Sequence, residues 1–332
     1  MSRHRPPRLP MHGVILGALI CAAAVAPTAA RAQHAVHSGF WRELRTPGFR
    51  RSRELLRQGR ALLALAGRER RASHNARLLS AIRRFRLARE LAPNDPEALF
   101  ELGRSKASLR WPTAGGGEEL TQADEARALL LELRARFPDY EARRVAFELG
   151  VLAAHAQDFP RAAREYERSL EARRVGEGAP SMHANLAEVY MLSGDLERAE
   201  EQYRVAIRLA RPGRGLALSR FGLAVCLDRR DEPRKALAMV RRAMAAGGGS
   251  TDVLRSSGVF FEPAAELHYY EALALRARAE DARARTQRAR LLRQAASALR
   301  RYLGGVAPET PFYELAARRL ESLRRALRSA SP

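Results

Sequence analysis

The chain has 332 residues, 46% hydrophobic, 29% charged and 6% aromatic, with a formal net charge of +22. Gly 23, Pro 17 and Cys 2 exclude a collagen, low-complexity disorder and a disulfide scaffold, and the length allows one large or two ordinary domains. One stretch, near the N-terminus, is apolar enough to enter a bilayer, which excludes a polytopic membrane protein. Of the lysines and arginines, all but Lys106 and Lys235 are arginine. That bias has two readings: the codon usage of a GC-rich genome, or attraction to an anionic lipid, polysaccharide or nucleic acid. Acids are interspersed with arginines on most predicted helices, as in Glu197-Arg198-Ala199-Glu200-Glu201, which favours solvated mixed faces.

Residues 1–32 carry Arg3, Arg5 and Arg8, an apolar run from Val14 to Ala26, and Ala30-Arg31-Ala32 before Gln33. This is the order of a secretory signal peptide: positive segment, apolar segment, small-x-small cleavage site. The run is short for the ~20 residues a membrane span requires, and Pro27 interrupts its end. Ile20, before Cys21, is too bulky for a lipoprotein signal. Export to the periplasm or outer envelope of a bacterium is therefore expected, with no transmembrane span after cleavage. Residues 33–50 read as a flexible leader. Cleavage leaves Cys226 alone beside Ala224, Val225 and Leu227, where it reads as a small buried hydrophobe.

Downstream the chain repeats itself with a period of 37. Columns at that spacing hold Leu149, Leu186 and Leu223; Gly150, Ala187 and Ala224; Asp158, Asp195 and Glu232; Ala162, Ala199 and Ala236; and Tyr166, Tyr203 and Val240. Each unit reads as two amphipathic helices, the second carrying small, large, small at i, i+4, i+7 on one face. Ser193-Gly194-Asp195 is expected to make the turn, Gly closing one helix in a left-handed cap and Asp opening the next.

On these residues the chain resembles the tetratricopeptide repeat family. The fullest match is Leu186-Ala187, Tyr190, Ala199, Tyr203 and Ala206, with Pro212 one place late. Ala81, Phe85, Ala88 and Pro93 match an earlier unit, which runs into Leu102-Gly103. That next unit resumes at Ala126, Leu130, Leu133 and Pro138 after an inserted loop with Trp111 and Gly115-Gly116-Gly117. The resemblance implies an all-α, right-handed solenoid of antiparallel helix pairs: an array over 51–244, a loop over 245–264, and a degenerate pair with a closing helix over 265–329. Within that last part, Leu267–Leu275 and Ala295, Leu299 and Tyr302 form the pair, Tyr269 and Tyr270 read as core, and Phe312–Leu327 forms the closing helix.

No metal-ligand pair, nucleophile elbow or phosphate-binding loop stands out, and Pro212-Gly213-Arg214-Gly215 joins two helices and follows no strand. Neither cofactor nor catalysis is expected. The resemblance instead implies a concave groove, lined by the first helices, that holds a peptide or partner helix. Carried onto this chain, the groove pattern places Phe100 and Arg104, then Arg144, Phe147 and Val151, then Ala184, Glu188 and Met191, then Phe221, Val225 and Asp228 on the inner wall. Some of these phenylalanines could instead pack between repeats. The Lys/Asn/Arg clamp with which some relatives grip a C-terminal carboxylate is absent, Asn185 being its only remnant. Trp111 either contacts the partner or folds back on its own repeat. The expected role is a non-catalytic adaptor for a protein or peptide; a nucleic-acid partner is not expected, and Arg-mediated contact with an anionic surface is the alternative.

Overall fold

The computed structural model describes residues 46–66, 71–112, 118–172, 180–256, 259 and 261–330. The signal expected at 1–32 lies outside the described residues. Helices α1 (Pro47–Ala66) and α2 (Arg71–Leu91) form the first antiparallel pair, and α3 (Pro96–Ala107) and α4 (Ala123–Arg136) the second. Next come α5 (Ala142–His155) with α6 (Phe159–Glu171), then α7 (Pro180–Leu192) with α8 (Leu196–Leu209), then α9 (Arg214–Arg229) with α10 (Pro233–Ala246). A connector with one 3-10 turn (Asp252–Arg255) leads to α11 (Glu266–Asp281) and α12 (Arg285–Gly304), and α13 (Tyr313–Ala330) closes against α12.

The helices start and stop where the repeat requires it. At 157, 194 and 231 the backbone turns into the left-handed region, with φ of 56° at Gln157, 87° at Gly194 and 60° at Asp231. Each turn is tied by a bond from the residue after it: Asp158 N to Ala153 O at 3.0 Å, Asp195 N to Tyr190 O at 2.9 Å, Glu232 N to Leu227 O at 2.9 Å. This bond pattern caps a helix C-terminus while leaving the next residue free to open a new helix. Asp158 and Asp195 do so, accepting from Arg161 N and Arg198 N at 3.1 Å each.

Packing follows the columns. Ala126, Ala162, Ala199 and Ala236 are fully buried, as are Ala187, Ala224, Ala206 and Ala243. A ring from the second helix fills the space that the small residues leave: Phe85 lies against Gly59 and Tyr166 against Gly150. Tyr203 lies instead against Gly222 of the next pair, joining successive repeats. Two hydrophobic cores result, one over the first two pairs and one over the remainder, and α5 contributes to both.

Four local features depart from the sequence reading. The first helix begins at Pro47, inside the span read as leader; α10 runs to Ala246, into the span read as loop. The insertion carries a two-stranded antiparallel ribbon, β1 (Arg110–Pro112) on β2 (Glu118–Leu120), pairing Trp111 with Glu119. The connector is not a plain surface loop either, since Val253 and Leu254 are buried.

The C-terminal pair is locked to the array by a buried ion pair. Arg229 Nη2 donates to both carboxylate oxygens of Glu266, at 2.6 and 2.8 Å, with the rings of Phe312 and Tyr269 at 4.1 and 5.1 Å from its guanidinium carbon. Removing one partner would strand a charge in the core.

Two glycines separate backbone from side-chain constraint. A Cβ at Gly194 would meet nothing within 4 Å, so Gly194→Ala should lose only about 1 kcal/mol through its positive φ. A Cβ at Gly222 would run into the Tyr203 ring, so Gly222→Ala should lose about 1–3 kcal/mol in the wild type and less in a chain that already carries Tyr203→Leu. Urea unfolding of Gly194→Ala, Gly222→Ala, Tyr203→Leu and the Gly222→Ala, Tyr203→Leu double variant measures both effects.

Candidate functional site

The first helices of the pairs line one side of the solenoid, where α1 touches α3, α3 touches α5, α7 touches α9 and α9 touches α11. The floor of this wall is charged in the first two pairs. Glu97 and Glu101, both buried on α3, take ion pairs from Arg53 and Arg60 of α1, and Arg104 Nε donates to Glu101 Oε2 at 2.6 Å. Arg144 lies 4.7 Å and Arg104 5.8 Å from the Phe100 ring. Phe100 itself is buried edge-on to Tyr140 and is not open to a ligand.

Between α5 and α7 the wall opens into a cleft of about 170 Å³. It is lined by Phe159 and Tyr166 of α6, Asn185, Glu188 and Leu192 of α7, Leu218 of α9 and Tyr270 of α11. The connector supplies the remaining edge with Leu254, Val259, Phe261 and Glu262. Glu188 is the polar centre. Tyr203 Oη and Tyr270 Oη both donate to its Oε2, the latter at 2.8 Å, so one carboxylate ties α7, α8 and α11 together. Burial pushes the Glu188 carboxyl above the ordinary carboxylate range, while the two tyrosine hydroxyls pull it down. Burial raises both tyrosines well above their usual value, which keeps them protonated as donors.

The expected groove residues divide when placed in this frame. Glu188 and Ala184 line the cleft, and Phe147 is half-buried with its ring 5.7 Å from that of Tyr166. Arg104 and Arg144 keep part of their side chains exposed. Val151 and Met191 are buried in the core of their own repeats. Phe221, Val225 and Asp228 are also buried, because the C-terminal helices cover that end of the wall. Asp228 accepts from Tyr269 Oη at 2.6 Å and from Arg319 Nε at 3.3 Å, which makes it a strut between α9, α11 and α13. Trp111 stands partly exposed on β1, next to Arg110, whose side chain reaches back to His155. Among the described residues no cluster of three or more His, Cys, Asp or Glu could hold a metal ion, and no helix is long and apolar enough to cross a membrane.

Sequence reasoning missed Phe261 in the cleft and Glu148 beside Arg104 and Arg144; Tyr270, read as core, is buried and also lines the cleft. For Glu148 a signal existed: the column it shares with Asn185 and Gly222 is otherwise uncharged. Burial pushes its carboxyl up to about 7, against the pull of Arg104, Arg144 and Arg110.

Residues 179–246 match the sequence model of the tetratricopeptide repeat family. The chain carries tetratricopeptide repeats. This repeat fold is a scaffold for protein–protein interaction. Among solved structures the chain is similar to PilF of Pseudomonas aeruginosa, at 15% identity over 82% of this chain and 100% of that one, with a TM-score of 0.48. It is similar to MamA of Desulfovibrio magneticus RS-1 at 15% identity, 57% and 94% coverage and a TM-score of 0.44. For YrrB, a TPR protein with an unusual peptide-binding site, the values are 16%, 71%, 97% and 0.40. None of the three bears on what this chain binds. No curated protein matches it significantly.

Glu148 gives the wall a pH response. A carboxyl raised to about 7 holds a proton in the folded chain that the unfolded chain has released, so stability falls as pH rises from about 4.5 to 7. Glu148→Gln should match the wild type at pH 4 and unfold at higher denaturant than the wild type at pH 8. Equal midpoints at both values would show that Glu148 titrates normally.

Proposed function

We propose that this tetratricopeptide protein is a non-catalytic adaptor that holds an extended protein segment along its inner wall, in the cleft between α5, α7 and α11. The observation that carries this reading is the composition of that cleft: aromatic and aliphatic walls around a few fixed polar groups, Glu188, Asn185 and the tyrosine hydroxyls. Peptide grooves are built in this way, apolar pockets supplying affinity and backbone-directed polar groups supplying register. The order of charge, apolar run and small-x-small site in residues 1–32 supports an adaptor acting outside the cytoplasm of a bacterium.

A photo-reactive residue placed at Ala184 should cross-link one contiguous segment of a single partner, and the same residue at Arg161, on α6 away from the cleft, should not. The cross-link at Ala184 should persist as salt is raised. Docking on an anionic polymer through arginine would weaken steeply with salt. Cross-linking confined to Arg161, or lost at a salt concentration at which the array is still folded by circular dichroism, would replace the adaptor by the electrostatic binder.

Export has its own test. Mass spectrometry of the protein from its native cells should find a chain beginning at Gln33 in the envelope fraction; an intact Met1–Ala32 segment would contradict processing.

A further inference from the structure

The connector between α10 and α11 does not take the short way between two neighbouring helices. It crosses to the inner wall, where Glu262 lies against His155 of α5, 107 positions earlier in the chain. The contact has a defined polarity. Arg110 Nη1 is 2.6 Å from His155 Nε2, and a guanidinium can only donate, so Nε2 accepts and the imidazole proton sits on Nδ1. From there it is donated to Glu262 Oε1 at 2.6 Å. A neutral imidazole thus passes the pull of Arg110 to a carboxylate that is itself largely buried.

The residue before it is placed with equal definition. The Phe261 ring packs edge-on against that of Tyr270, centroids 5.0 Å apart at 64°. Tyr270 is held in turn by Glu188. The four receptor groups come from outside the connector: His155 of α5 and Glu188 of α7 from the repeats, Arg110 from the inserted ribbon and Tyr270 from the C-terminal pair, with Arg110 on His155 and Tyr270 on Glu188. Phe261 and Glu262 insert into a site built jointly by the array, the inserted ribbon and the C-terminal pair. They do not fill it, since about 170 Å³ stays open beside them.

We infer that the cleft recognises a partner segment carrying an aromatic residue followed directly by a carboxylate residue, and that Phe261-Glu262 is an internal copy of that segment holding its place. This rests on the proposed peptide-binding role and narrows it to one chemistry: an extended acidic-aromatic peptide, its ring on Tyr270 and its carboxylate on His155. Tethering gives the internal copy an effective concentration in the millimolar range, so a partner must bind more tightly than the connector does. The open volume is where such a partner gains contacts that the connector lacks.

The probe is a fluorescent five-residue peptide with the sequence of residues 259–263, blocked at both ends, titrated into the full chain by anisotropy. Phe261→Ala with Glu262→Ala vacates the site, so the peptide should bind this double variant at least tenfold more tightly than the wild type. Adding His155→Ala should remove the gain, and replacing Glu by Gln or the second Phe by Ala in the peptide should each weaken binding at least tenfold. If the double variant melts early by circular dichroism, Glu262→Gln alone serves, with a gain of several-fold. Equal binding to wild type and vacated chain, or indifference to His155, overturns the inference. If the cross-link at Ala184 is found while these peptides fail, the motif is wrong and the adaptor reading stands. If neither is found, both fall.

Discussion

Two helix backbones in this chain can approach only where one of them offers a small residue to a ring from the other. Phe85 on Gly59 and Tyr166 on Gly150 set the spacing within pairs, and Tyr203 on Gly222 sets it between them. The buried alanine columns hold the same distance along the rest of each contact. Because the pairs stack through these contacts, the first helices fall side by side and their inward faces become one wall. The cleft is a consequence of that stacking: α7 reaches α9 and α11 across Glu188, and the space beside α5 is left to be lined by whatever those helices present.

The array was legible because close packing imposes it column by column. A period of 37 with small residues at fixed places cannot be kept without two helices meeting at each copy, and the turns at Gln157, Gly194 and Asp231 keep the same period in the backbone. Two of those three residues are not glycine, so the left-handed turn is enforced by the flanking helices and not by local freedom. The inner wall was legible only in part. Phe100, Met191, Phe221 and Val225 satisfy the periodicity of a first helix, but periodicity names a face and does not say what covers it. At the C-terminal end the cover is α11 and α13, joined through Arg229, Glu266 and Asp228, a contact with no repeating pattern.

The connector shows the same limit more sharply. Gly247-Gly248-Gly249-Ser250 reads as a turn, and it makes one, with φ of 80° and 86° at Gly248 and Gly249. Farther along the connector the contacts are long-range and join single residues, Glu262 to His155 and Phe261 to Tyr270, and no local rule relates such partners. Trp111 was legible as an insertion but not as a strand, because a three-residue ribbon carries too few alternations to be read.

The arginine excess can be weighed against the same geometry. Arg89 reaches Glu132 from α2 to α4, Arg134 Nη1 donates to both carboxylate oxygens of Glu165 from α4 to α6, and Arg241 reaches Asp281 from α10 to α11. Arg136 ties α4 back to Asn94 at the start of the same pair. These side chains act as straps between successive units on the face opposite the cleft. Each exposed pair contributes only about 0–1 kcal/mol, and salt weakens it. Rising salt should therefore loosen the repeat-to-repeat ties before it reaches the shielded hydrogen bonds on Glu188. A salt dependence of binding then has two possible origins in this molecule, a partner held by charge or an array whose curvature relaxes. Only a stability curve measured at the same salt concentrations tells them apart, since a partner held by charge dissociates from an array that remains intact.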